Sequence, residues 1–313
     1  MTTFTILGDQ HLGRQFVNNV PLHRRGDRER MQWEAFISGL DPKGADVHVN
    51  VGDVFDKPIV SYGTVWKAAL HYMDVAIRHP KTMFVVIRGN HDAARDLEMV
   101  TAFDIFTKIV ERCNNIEIVD DVYIHDGMLF CGWHPTNSAA EVAASAARYG
   151  VKCHAAFGHY DVDPRSDPFN LAPIPELRAL GVKELYVGHD HLKRELMIDG
   201  MPVHVVGSMI PFSHSEDANG DTYVTLSLDE ARERDDLYDK CVRIDLQPGE
   251  VFSEDIDCLQ LQVRRVEEER ESIEVELGEF NLNTIFDDCM AEVPDGIRDQ
   301  VRTRWDKAFS QQP

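Results

Sequence analysis

The chain has 313 residues, 43% of them hydrophobic and 27% charged, enough to bury a full core in one large domain plus a smaller one. No apolar run approaches the ~20 residues that cross a bilayer, which excludes a membrane-spanning helix. The net charge of −22 opposes nucleic acid at first sight.

That charge is uneven. Residues 216–313 carry 27 acidic against 11 basic side chains, and residues 1–215 carry 27 against 21. Most of the excess lies in the last third, where it either faces solvent or meets a basic partner. The six cysteines are scattered and form no CxxC pair. They fit a reducing cytoplasm better than a disulfide framework or a zinc knuckle. Met1-Thr2-Thr3-Phe4 shows no basic segment or cleavage site, so no signal peptide is expected and the location is expected to be cytoplasmic.

In chain order, Phe4–Leu7 predicts a strand closing at Asp9-Gln10-His11. Arg28–Leu40 predicts a helix, stopped by Asp41-Pro42-Lys43-Gly44. Val47–Val51 is a second strand and runs into Gly52-Asp53-Val54-Phe55-Asp56. Thr64–Arg78 has helical spacing in Val65, Ala68, Ala69, Tyr72, Met73 and Ala76. Met83–Ile87 leads into Gly89-Asn90-His91-Asp92, and Leu97–Val110 is again helical. Strands are expected at Ile116–Val119 and Leu129–Trp133, and a helix at Ala139–Tyr149. Ala155–Phe157 then closes at Gly158-His159. Asp161–Pro175, rich in proline, reads as a surface loop near the site. Leu185–Val187 precedes Gly188-His189-Asp190-His191, and strands follow at Glu195–Ile198 and Val203–Val206. After a break at Pro211–Gly220, strands are expected at Thr222–Leu228, Cys241–Leu246 and Leu259–Val266. Asn281–Ser310 predicts two short helices separated by Pro294-Asp295-Gly296. This is a layered α/β pattern over residues 1–220, with a small acidic α+β region over 221–313.

Carboxylate, amide and imidazole groups delivered from several strand ends to one rim suit a two-metal hydrolytic centre. Asp9 and His11, two apart on a strand, would share a face, as would His189 and His191. The glycine of GDxxD permits a tight exit from the strand, so that Asp53 can bridge two cations. Asn90 adds a neutral oxygen, His91 can face the substrate, and His159 supplies another imidazole. The remaining histidines, such as His48 and His71, read as hydrogen-bonded core or surface groups.

The ordered set DxH, GDxxD, GNH(D/E), GH and GHxH resembles the calcineurin-like metallophosphoesterase superfamily over about residues 1–215. The resemblance implies a layered β-sandwich flanked by helices. It implies one metal on Asp9, His11, Asp53 and His191 and another on Asp53, Asn90, His159 and His189. Mn²⁺ suits this mixed shell, with Mg²⁺, Fe or Zn²⁺ as alternatives. A metal-activated water would attack phosphorus, His91 would stabilise the transition state or protonate the leaving oxygen, and Asp92 would orient His91.

Around the blocks the chain is similar to SbcD-type DNA repair and recombination nucleases, the partners of an SMC-like ATPase of SbcC type. The matching stretches are His11-Leu12-Gly13-Arg14, Gly52-Asp53-Val54-Phe55-Asp56-Lys57-Pro58 and Gly207-Ser208-Met209-Ile210-Pro211 with Glu216-Asp217 behind it. This resemblance implies a Mn-dependent DNA exonuclease or endonuclease and a homodimer, with Trp33, Phe36, Trp66 and Tyr72 as interface candidates unless they pack in the core. Arg14, Arg24, Arg25 and Arg28 either hold DNA phosphates or form a solvated loop and helix start. The C-terminal part is short and acidic for this branch, so its DNA-gripping cap is expected to be reduced. The terminal helices would dock on the ATPase or pack on their own domain. Two rival readings are a small-substrate phosphoesterase acting on nucleotides or phosphomonoesters, and a non-catalytic scaffold.

Overall fold

The computed structural model describes residues 2–217, 219–253 and 255–266, and from the C-terminal stretch residues 286, 289, 290 and 293–309. Two compact units result, Met1–Val266 and Glu267–Pro313.

In the first unit, strands β1 (Phe4–Leu7), β2 (Val47–Asn50), β3 (Met83–Ile87) and β4 (Ile116–Val119) form a parallel sheet in that order. Helices α1 (Asp27–Gly39), α2 (Tyr62–Arg78) and α3 (Ala102–Val110) belong to the connections. A second sheet has the order β5-β6-β7-β8-β10-β9, formed by β5 (Val122–His125), β6 (Met128–Cys131), β7 (Ala155–His159), β8 (Glu184–Gly188), β9 (Arg194–Ile198) and β10 (Met201–Val205). Its four central strands are parallel and its edge strands antiparallel. Helices α4 (Ala139–Ser145) and α5 (Ile174–Ala179) cover it.

Strand alternation builds the layers. Val85 and Ile87 of β3 meet Phe130 and Phe157 of the second sheet in one apolar layer. Phe84 and Val86, which alternate with them in sequence, pack instead with Phe36, Tyr72, Phe103 and Phe106 beneath the helices. Leu129, Ala156 and Leu185 do the same on the far side with Val142 and Leu177. The result is helix, sheet, sheet, helix, with the C-terminal ends of the parallel strands at one rim, as the α/β reading expects.

Some boundaries move for local reasons. The helix expected from Leu97 starts at Ala102, where Thr101 and Asp104 form a capping box. The proline-rich stretch runs into α5, and β5 lies outside the expected strands. A third sheet, β11-β12-β13 (Tyr223–Ser227, Cys241–Leu246, Gln260–Arg265), is wholly parallel. Of the interface candidates, Phe36 and Tyr72 are fully buried in their own core, while Trp66 is exposed. In the second unit a helix spans Asp295–Phe309, so Asp295 and Gly296 begin it rather than break it. Phe286 stacks on Trp305 at 4.1 Å. The helix expected before Pro294 lies largely outside the described residues.

Candidate metal centre

The blocks converge because the chain turns sharply at each strand end. β1 stops at Leu7 and β8 at Gly188, so Asp9, His11, His189 and His191 lie beyond the strands. Strand alternation therefore does not aim these pairs. Instead Asp9, His11, Asp53 and His189 have left-handed backbone, with φ of 52°, 48°, 53° and 83°. Such φ values are costly for residues with a Cβ and gather at functional sites. The loops after β1 and β2 are laced together by the N–H groups of Asp9, His11 and Leu12, which donate to the carbonyls of Gly52, Asp53 and Val54 at 2.9–3.0 Å. Gln32 of α1 donates to the carbonyls of Gln10 and His11, and Asn50 donates to Gln10 Oε1 and to the Tyr72 hydroxyl. Small residues keep the approach close: a Cβ on Gly89 would collide with Asp53, and one on Gly52 with the His159 ring.

Each buried aspartate divides its oxygens. Asp53 Oδ1 accepts the His91 N–H at 2.9 Å, while Oδ2 stands 3.6 Å from His11 Nε2 and 3.4 Å from His159 Nε2. Asp9 Oδ1 accepts the His189 N–H at 2.9 Å. Asp9 Oδ2 is buried without a hydrogen-bond partner. On one side of Asp53, His11 Nε2 faces His191 Nε2 at 3.0 Å, and Asp9 Oδ1 lies 4.0 Å from His191 Nε2. On the other, Asn90 Oδ1 lies 2.8 Å from His159 Nε2 and 2.9 Å from His189 Nδ1. The residues expected from the sequence thus come together in two groups that share Asp53. Asp9, His11 and His191 form one close set of ligand atoms, and His11, Asp53 and His91 another. Asp9, Asp53 and His159 form a third.

Electrostatics show the same convergence. Burial raises the Asp9 carboxyl, and the Asp53 charge adds to that shift. Burial opposes ionisation of Asp53 too, but His159, by charge and hydrogen bond, holds it below the usual carboxylate range. For His159, burial is outweighed by the charge and hydrogen bond of Asp53, which raise the ring to about 9. His11 is pushed down to about 3, chiefly by burial. Two buried carboxylates, a neutral amide oxygen and converging imidazole nitrogens form a donor set that fits divalent cations. The orphaned Asp9 oxygen is the atom such an ion would satisfy.

Other expected residues are placed differently. Asp92 does not orient His91: its carboxylate accepts the N–H groups of Val54, Phe55 and Gly89 and so braces two ligand loops. His91 Nδ1 instead meets the Asp56 carbonyl at 2.6 Å. Arg24 and Arg28 are buried and engaged within the chain. Arg24 pairs with Asp27 and stacks on Tyr238, and Arg28 binds the Tyr223 hydroxyl and the Pro211 carbonyl. Arg25 is exposed. Arg14 lies beside the cluster, 4.4 Å over the Phe212 ring and 3.6 Å from Asp56. Sequence reasoning missed Asp161, 3.2 Å from His189 Nε2, and assigned no role to Glu216, 3.3 Å from His191 Nδ1.

A helix-flanked α/β layering with such a cluster at the strand ends defines a metal-dependent phosphoesterase. Residues 2–193 match the calcineurin-like phosphoesterase family, and the chain belongs to it. Members of this family hold a dinuclear metal centre. No curated protein matches the chain. Among solved structures it is similar to the phosphopantetheinyl hydrolase of Mycobacterium tuberculosis, with 14% identity, 67% of this chain and 93% of that one covered, and a TM-score of 0.41. It is also similar to TT1561 of Thermus thermophilus, with 12% identity, 66% and 90% covered, and a TM-score of 0.43. For a dimetal phosphatase from Danio rerio the values are 12%, 67% and 88%, and 0.38.

Proposed function

We propose that this metallophosphoesterase is a Mn²⁺-dependent DNA nuclease, the nuclease subunit of an SbcCD-like repair and recombination complex. The phosphoesterase half of this reading is carried by Asp53, whose Oδ2 lies between the two groups of ligands. The DNA half is supported by the sequence flanking the blocks and by Arg14 at the edge of the cluster.

Asp9, His11, Asp53 and His191 would hold one ion, and Asp53, Asn90, His159 and His189 the other. Divalent cations held there would acidify a water and neutralise charge on the phosphoryl group. The side chains do the rest. His91 donates Nδ1–H to the Asp56 carbonyl, which leaves Nε2 as the nitrogen for the leaving oxygen; it would carry a proton to give only in the imidazolium form. Arg14 and the exposed Arg25 would meet phosphates flanking the scissile one. The Arg14 guanidinium lies 4.4 Å over the Phe212 ring, a cation–π contact that would help hold it beside the cluster.

The partners belong to the same proposal: an SMC-like ATPase and a second copy of this chain. Tyr62, Trp66, Leu70 and Ile77 form an exposed apolar stripe along α2 that would suit a dimer. The test is cleavage of single-stranded DNA with Mn²⁺, alone and with the ATPase, beside p-nitrophenyl phosphate esters and cyclic nucleotides. Mn²⁺-dependent DNA cleavage that weakens in Arg14→Ala is the expected result. Hydrolysis of the small esters with every DNA substrate intact would replace this reading by a small-substrate phosphoesterase.

A further inference from the structure

Four of the five histidines of the cluster share a pattern at the ring nitrogen turned away from the other ligands; the exception is His11, whose Nδ1 is buried without a hydrogen-bond partner. For His159 that nitrogen meets the Val51 carbonyl at 2.9 Å, and for His91 the Asp56 carbonyl at 2.6 Å. For His189 and His191 it meets a carboxylate, Asp161 and Glu216 respectively. Neither acid belongs to the blocks that carry the ligands. Glu216 also lies beyond residue 193, where the family match ends.

We propose that Glu216 and Asp161 are positioning residues of the metal centre. Each holds the far nitrogen of its histidine in the N–H form, so that the near nitrogen presents a lone pair to the ion. The chemistry is simple. A neutral imidazole carries one N–H, and a carboxylate can only accept it. His191 is then fixed with Nδ1–H toward Glu216 and a bare Nε2 toward His11 and Asp9. His189 is fixed with Nε2–H toward Asp161 and a bare Nδ1 toward Asn90 and His159. Outer partners of this kind set ring orientation and ligand basicity.

Both acids are themselves held. Glu216 Oε2 accepts the Phe212 N–H at 2.8 Å and Oε1 the Ser213 hydroxyl at 3.0 Å. Phe212 in turn sets its ring against His11 and His191, with centroids 5.2 and 5.3 Å apart. The next residue, Asp217, accepts the N–H groups of Thr222 and Tyr223, where the third sheet begins. The segment that leads into that sheet therefore also closes one side of the metal centre. Asp161 is pinned by paired backbone bonds to Asn170 and Ala172, so the proline-rich loop has a fixed place for its carboxylate. A chain ending after the family-matched residues would keep every expected ligand and lose Glu216.

The inference stands on the metal centre and is independent of whether DNA is the substrate. Its test compares the full-length protein with Glu216→Ala, Glu216→Gln and Asp161→Ala by two readouts. One is the long-range ¹H–¹⁵N imidazole spectrum of metal-free protein at a pH where the rings are neutral. The other is calorimetric titration with Mn²⁺ alone. In the unaltered protein His191 should be the Nδ1–H tautomer and His189 the Nε2–H tautomer. Glu216→Ala should lose the His191 preference and weaken one of two Mn²⁺ ions about 10- to 100-fold. Asp161→Ala should do the same to His189 and the other ion. Glu216→Gln, whose amide oxygen still accepts, should keep the tautomer and most of the affinity. An unchanged His191 tautomer and unchanged Mn²⁺ affinity in Glu216→Ala overturns the proposal, and so does a loss spread equally over both ions.

Discussion

The two sheets deliver different chemistry to one rim. Loops after β1, β2 and β3 bring the oxygen donors Asp9, Asp53 and Asn90, with His11 among them, whereas β7 and the end of β8 bring His159, His189 and His191. The oxygen side is fixed from within. Its aspartates are buried, stand on left-handed backbone and give one oxygen each to a backbone N–H. The imidazole side is fixed largely from outside, by the Val51 carbonyl, Asp161 and Glu216. The contrast follows from valence. A carboxylate has two oxygens to divide, while an imidazole must have its proton assigned by something behind it.

The contrast can be broken first on the oxygen side. Asp53→Ala should abolish Mn²⁺-dependent hydrolysis of bis(p-nitrophenyl) phosphate, because both groups of ligands lose their shared oxygen. His91→Ala separates chemistry from binding: Mn²⁺ titration should be unchanged while the hydrolysis rate falls about 10²- to 10⁴-fold.

Next come the braces. Asp92→Ala leaves the Val54, Phe55 and Gly89 N–H groups without their acceptor. At about 1–3 kcal/mol for an orphaned buried donor, urea unfolding should show a loss of at least about 3 kcal/mol. Gly89→Ala forces a Cβ into Asp53 and should cost about 1–3 kcal/mol by the same measurement.

On the imidazole side, pH sharpens the comparison. In the metal-free chain His159 titrates near 9 against an ordinary 6.5. Its folded value is raised, so its stabilisation is complete below about 6.5 and is lost as pH rises through about 9. A metal must displace that proton. Mn²⁺ affinity should therefore rise with pH up to about 9, with proton release seen as a buffer-dependent calorimetric heat. The smallest effect is expected at Arg25→Ala, within about 0.5 kcal/mol of the parent in urea unfolding. Arg24→Ala, which breaks a buried guanidinium's contacts to Asp27, Tyr238 and Asp257, should lie well outside that range.

Much of the layering and the set of candidate ligands that meet at the rim can be read from residues 1–215, because strand ends are marked by apolar runs and candidate ligand types by their chemistry. What aims the ligands is less legible. Asp9 and His11 read as neighbours on a strand face, yet left-handed turns place them. The hint was residue type, since Asp, Asn and His tolerate that backbone best. Asp161 and Glu216 carry no local pattern at all, and only tertiary folding brings them behind His189 and His191. Arg24 and Arg28 looked like phosphate contacts because charge was visible and burial was not.

The most direct test of the account is anomalous diffraction from Mn²⁺-loaded crystals of the full chain. It predicts two peaks about 3.5–4 Å apart, with Asp53 Oδ2 between them. A single peak, or two peaks of which only one touches Asp53, would contradict it.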